Sequence, residues 1–125
     1  MVTNLSDNII STGKELLQRL DRAGLSIDAA FWMYSSDSER WRLVFALPAV
    51  SQSGPKQFYK LIQSLLKFPD RPISLNDISI LDSSAPLIKL FRVAIKTGPG
   101  ISAIRFTQNF INNVLIEDAF IYRLT

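Results

Sequence analysis

The chain of 125 residues contains no cysteine and no histidine, and this double absence sets the terms on which it can fold. No disulfide can close a loop and no zinc cluster of the usual cysteine and histidine ligands can staple small elements together. A chain of this length must therefore be held by its own apolar core, burying roughly two thirds of the surface it exposes when unfolded. It is expected to form one domain over residues 1–125 and to be indifferent to reductants and chelators.

The same absence narrows the chemistry. Serine–histidine–aspartate triads, cysteine–histidine dyads and thiol redox chemistry are excluded, because histidine is the usual base near neutral pH and cysteine the strongest side-chain nucleophile. Carboxylate, lysine, serine or tyrosine chemistry remains, and no motif singles out one of them. No cofactor is expected.

Apolar residues make up 47% of the chain and charged residues 20%, an ordinary globular balance. The longest apolar runs, such as Leu43 to Leu47, are far too short to span a bilayer. The start, Met1-Val2-Thr3-Asn4-Leu5-Ser6-Asp7, lacks the basic and apolar regions of a signal peptide. Together with the lack of cysteine, this leads us to expect a soluble cytoplasmic protein of bacterial type, away from membranes, in which the Asn4-Leu5-Ser6 sequon has no role. The net charge of +3 gives a pI of 9.5 because, without histidine, little titrates between the carboxylates and the lysines. It is weak support for an anionic partner.

Hydrophobic spacing predicts a first helix over Asp7 to Ala23, with Leu5, Ile9, Leu16, Leu17 and Leu20 recurring at helical spacing. Ser6 suits one N-cap, Thr12 with Glu15 forms a second capping-box pattern, and Gly24 suits the left-handed end, while Gly13 is a weak point that lets the first turns fray. Ile27 to Ser35 and Arg40 to Leu47 both alternate around the polar Ser36–Glu39 segment and predict a β-hairpin. Ser53-Gly54-Pro55 opens a second helix with Phe58, Leu61, Ile62 and Leu65 on its stripe, and Pro69-Asp70-Arg71-Pro72 stops it. Ile73 to Leu81 is read as a third strand with a bulge near Asn76-Asp77. A third helix follows Asp82-Ser83-Ser84-Ala85-Pro86, with Leu87, Leu90, Phe91, Ala94 and Ile95 inward, and ends at Gly98-Pro99-Gly100. Two more strands fill Ile101 to the C-terminus. Asn112-Asn113 is the preferred turn between them, since asparagine tolerates positive φ, and Gln108-Asn109 is the alternative. The order α-β-β-α-β-α-β-β predicts an α+β domain with a mixed, mainly antiparallel sheet of about five strands, three helices and two right-handed β-α-β crossovers.

Four groups of residues invite a functional reading. Gly98-Pro99-Gly100 leads from a helix into a strand, the reverse of a phosphate loop, and reads as a helix stop. The acidic pairs Asp77 with Asp82 and Glu117 with Asp118 are the local candidates for magnesium, but strand neighbours point to opposite faces, so no metal site is expected. Lys89, Arg92 and Lys96 form a basic stripe on the third helix. The hairpin offers the strongest candidate. If Phe31, Met33, Leu43 and Phe45 face the core, then Trp32, Tyr34, Arg40 and Arg42 share the other face, with Trp32 beside Arg42 and Tyr34 beside Arg40. Arginine stacked on aromatic rings is frequent on binding surfaces. The leading expectation is a non-catalytic protein that binds a macromolecule: a second copy of itself in a homodimer, and another protein. A nucleic-acid module stacking bases on Trp32 and Tyr34 is the alternative, and a carboxylate enzyme the third.

Overall fold

The computed structural model describes residues 2–48, 50, 54–66 and 72–125. Within them lie α1 (Asp7–Arg22), β1 (Ala29–Ser35), β2 (Arg40–Leu47), α2 (Lys56–Leu65), β3 (Ile78–Asp82), α3 (Pro86–Ala94), β4 (Ile104–Ile111) and β5 (Val114–Leu124). The strands form one sheet in the order β3-β2-β1-β5-β4. Every neighbouring pair is antiparallel except β2 with β3. This is the expected α+β class and element order. None of the described helices is long and apolar enough to cross a membrane.

The sheet has a core on each side. On one side α1 and α2 bury Leu16, Leu17, Leu20, Phe58 and Ile62 against Ala30, Trp32, Leu43, Phe45 and Tyr122. On the other, α3 buries Ile88 and Phe91 against Phe31, Val44, Ala46, Ala119 and Ile121. The hairpin β1–β2 sits mid-sheet between these layers, which is why both of its faces are apolar.

Helix α1 begins and ends as its sequence dictates. The Ser6 hydroxyl accepts from Ile9 N–H at 3.3 Å. At the other end Gly24 has φ +84°, and Gly24 and Leu25 donate back to Asp21 and Leu20. That pair of bonds is a Schellman stop. Gly13 has a different role from the expected weak point. A Cβ there would lie 2.5 Å from the Tyr122 hydroxyl and 2.9 Å from the Trp32 indole nitrogen. Only glycine lets the helix backbone approach the sheet this closely. In the space Gly13 leaves, Trp32 Nε1 donates to Tyr122 Oη at 3.0 Å, and Tyr122 Oη donates to the Ile10 carbonyl at 2.6 Å.

A bulge in β5 supports this seat. Ala30 pairs with Arg123 but Phe31 with Ile121, so Tyr122 is the extra residue. The bulge turns Tyr122 and Arg123 to the α1 side together. Arg123 is buried and forms a bidentate pair with Asp21, both contacts at 2.9 Å, while Nε donates to the Gly100 carbonyl. A buried guanidinium is tolerable because its donors are matched in this way.

Three expectations need correction. The segment before β3 is not a bulged strand: Leu75–Asp77 is a 3₁₀ turn, and the fully buried Asp77 carboxylate accepts from Ser74 and from Val2 N–H. On α3 Leu87, Leu90 and Phe91 pack inward as expected, but Ile88 is the other fully buried residue, Ile95 lies beyond the helix end and Ala94 is exposed. Only β2-α2-β3 is a parallel crossover. The connection through α3 carries the chain from one sheet edge to the other, where β4 runs antiparallel to β3. In α2 the buried residues are Phe58 and Ile62, and the expected stop at Pro69-Asp70-Arg71 lies outside the described residues.

The Gly13 contact gives a test with an informative sign. In an exposed helix Gly→Ala stabilises by roughly 0.5–1 kcal/mol. Here Gly13→Ala must displace Tyr122, Trp32 or α1 itself, and overpacking of this kind costs about 1–3 kcal/mol. Urea unfolding of Gly13→Ala should therefore show a loss; a gain would remove Gly13 from its assigned role.

Candidate functional site

Register decides what the hairpin can offer. Ser36–Glu39 forms a four-residue loop with Glu39 at φ +53°, and it sets Ser35 opposite Arg40. Trp32 therefore faces Leu43, Met33 faces Arg42 and Tyr34 faces Trp41. The expected pairs Trp32 with Arg42 and Tyr34 with Arg40 are each displaced by one residue, which moves the partner to the other face of the sheet. Trp32 has no accessible surface under α1.

Arg40 and Arg42 are drawn to the β3 edge instead. Both donate to the Asn76 carbonyl, and Arg42 also reaches the Ile78 carbonyl at 3.1 Å and Ser79 Oγ at 2.8 Å. They tie the 3₁₀ turn and β3 to the hairpin. The face proposed for binding from Trp32, Tyr34, Arg40 and Arg42 is thus not assembled. A nucleic acid would find one of its two stacking rings buried and both arginines occupied by main-chain carbonyls.

The basic stripe is divided in the same way. Arg92 donates Nε to the Thr125 carbonyl and Nη1 to the Ser83 carbonyl, both at 2.9 Å, and so latches β5 and the β3–α3 turn. Lys89 and Lys96 are exposed. Lys89 shares its cleft with Asp28 and Asp82, so the surface there is mixed in charge. The acidic pairs do not converge: Asp82 accepts from Ser84, Glu117 accepts from Ser36 N–H at 2.8 Å, and Asp118 is paired with Arg105. The Ser36 hydrogen bond holds the Glu117 carboxyl below its usual range. No three acids gather into a metal-binding cluster among the described residues.

An arginine–aromatic cluster does form, from different residues. The Arg105 guanidinium lies 5.4 Å from the Trp41 ring centroid and makes a bidentate pair with Asp118 at 2.6 Å. The Asp118 hydrogen bond raises the Arg105 pKa above its usual value. Tyr34 stacks on Trp41 at 5.5 Å with the rings tilted. The strand-like contact of Val2 with Trp41 carries the N-terminal segment over them, and Thr3, Asn4 and Leu5 form the far wall of an open cleft.

Beyond this cluster the sheet narrows to β4 and β5. Pairing with β1 ends at Tyr34–Asp118, so Val114 to Glu117 have β4 as their strand partner. The turn is Asn112-Asn113, with φ +48° and +67°, the two positive values of a type I′ hairpin. Gln108, the alternative turn position, also has positive φ, +47°, but lies within β4. The alternation resets there: Phe106 and Ala119 face the α3 core, and so do Ile111 and Ile116, although strict alternation would part them. The result is an arm with one face buried toward α3. The opposite face carries the pair Phe110–Leu115. Phe110 is 70% exposed, Leu115 43% and Val114, beside the turn, 47%.

The sequence reading missed this arm as a surface. Its signal was present: Phe110-Ile111 before the turn and Val114-Leu115-Ile116 after it are continuous apolar runs. Such runs place apolar side chains on both faces, and here α3 covers one face only. Comparison with protein-family models, with curated proteins and with solved structures finds no match to this chain.

The two tryptophans on one face can be separated by experiment. Trp32→Ala should cost about 3–5 kcal/mol of stability through lost burial and a cavity. A variant that unfolds at the wild-type denaturant midpoint would show that Trp32 is not packed under α1.

Proposed function

We propose that this protein acts by binding a macromolecule, a second copy of itself included, through the open face and edge of the β4–β5 arm. The observation that carries the reading is the exposure of the cross-strand pair Phe110–Leu115 on the uncovered face of the arm, with Val114, the partner of Ile111, exposed beside the turn. Large apolar side chains grouped at one place, rather than scattered, are the mark of an interaction surface. β4 also presents a row of main-chain hydrogen-bonding groups on its outer side, which is the usual template for strand addition.

The arm is stiff enough to serve as a docking element. Its turn has the residue type that such a turn requires, its inner face is packed against α3, and Glu117 fastens it to the β1–β2 loop. A preorganised surface loses less entropy on binding. The positive φ at Gln108 interrupts the edge midway, so an added strand would pair along the tip, Asn109 to Ile111, with Phe110 as its anchor. A non-catalytic role in the cytoplasm of a bacterial-type cell belongs to the same proposal, and the cysteine-free composition fits the reducing compartment.

Sedimentation at micromolar concentration tests it. The wild-type chain should associate, and Phe110→Lys should shift it to monomer by weakening the interface about tenfold or more, as loss of an aromatic anchor does. Because Phe110 contributes little to the core, the variant should keep its denaturation midpoint. A wild-type chain that is monomeric under these conditions contradicts self-association, and so does a Phe110→Lys chain that associates as well as the wild type.

A further inference from the structure

A second, independent feature lies on the α1 flank. Helix α1 sits over β1 and the end of β5, and no described helix covers the lead-in to β4 on that side. The gap is a trench lined by Ile10, Ser11 and Lys14 from α1, Ile101, Ser102 and Ala103 from the lead-in, and Phe120 and Tyr122 from β5. Its volume of ≈ 310 Å³ lies at the lower end of the range for small-molecule sites. The floor is the half-buried Phe120 ring, backed edge to face by the buried Tyr122 ring with centroids 5.4 Å apart. Ile10 and Ile101 supply aliphatic walls. The polar groups sit at the rim, where Ser11 and Ser102 bring hydroxyls and Lys14 brings the single cation of the lining. Lys14 makes no ion pair with another described residue.

We propose that this trench binds a small aromatic monocarboxylate, ring down on Phe120 and carboxylate at Lys14. The chemistry follows from the lining. A flat apolar body gains contact with the aromatic floor, as edge-to-face and offset-stacked rings do. A single negative charge completes an exposed lysine in a charge-assisted hydrogen bond, and the two serine hydroxyls offer further donors. A cation in the same place would be repelled by Lys14. The Tyr122 hydroxyl is not available to the ligand, because it is engaged with Ile10 and Trp32. Its ring is buried behind Phe120, which it meets edge to face. The Trp32 indole is one hydrogen bond away from that ring, so its fluorescence reports on occupancy.

Three isosteric probes, 3-phenylpropionate, 3-phenylpropanol and 3-phenylpropylamine, separate the contributions. Titration of the wild-type chain, followed by tryptophan fluorescence and by NMR shifts of Ser11, Lys14 and Ser102, should saturate with the acid. The alcohol should bind about tenfold more weakly and the amine more weakly still. Lys14→Gln should bring the acid down to the affinity of the alcohol, and Ala103→Phe, which fills the trench from an exposed position, should weaken acid and alcohol alike. Unchanged denaturation midpoints for both variants ensure that the site, not the fold, is being read. Equal affinity for acid and alcohol, binding that survives both substitutions, or no saturable binding of the acid overturns the proposal. None of these outcomes bears on the β4–β5 arm, which lies outside the trench.

Discussion

The fold is organised by one hydrogen-bond chain, from the Trp32 indole to the Tyr122 hydroxyl to the Ile10 carbonyl, made under a glycine. It joins the central strand, the C-terminal strand and the first helix in a single buried contact. Burial pushes the Tyr122 phenol well above the usual tyrosine range, against the opposing effect of its hydrogen bond from Trp32. The hydroxyl therefore remains a neutral donor and acceptor through the usual tyrosine range. The sign of the linkage is clear. A raised pKa gives full stabilisation below the ordinary tyrosine value of about 10, and that contribution is lost as pH rises beyond it.

From this contact the rest follows. Seating α1 on Trp32 closes one face of the β1–β2 hairpin, and α3 closes the other, so the centre of the sheet has no surface to offer. The bulge that turns Tyr122 toward α1 also turns Arg123, whose pair with Asp21 fixes the C-terminal end of the same helix. With two helices over β1–β3 and α1 reaching only part of β5, the β4 side of the sheet is left exposed on that face. Both proposals, the arm that binds a macromolecule and the trench that binds an aromatic acid, arise from this uneven cover. They use different residues and stand separately.

Much of the architecture was legible because local rules carried it. Ser6, Gly24, Asn112 and Asn113 occupy the capping and turn positions their side chains favour, and alternation marked both strands of the hairpin. The binding face was not legible, because it depended on register. Alternation shows which residues of one strand share a face; it does not say which residues of the next strand join them. A loop of four residues pairs Trp32 with Leu43, whereas a turn centred on Asp37 would have paired it with Arg42. Gly13 was misread for a similar reason. A glycine within a helix looks like a weakness until the partner that needs the space is known, and that partner is 109 positions away in Tyr122. The polar anchors Asp77, Arg40 and Arg42 look like surface residues in sequence, and only tertiary structure supplies the carbonyls and amides that satisfy them.

The exchange of the Trp32 indole proton tests the central contact most directly. In a Trp41→Phe chain the single remaining indole N–H signal is unambiguous. If it donates to Tyr122 beneath α1, it should exchange with deuterium only through global opening, at the rate set by the stability measured for the same chain. Exchange within the dead time of the experiment, while the backbone amides of β1 remain protected, would show that the Trp32–Tyr122–Ile10 chain does not hold the helix to the sheet.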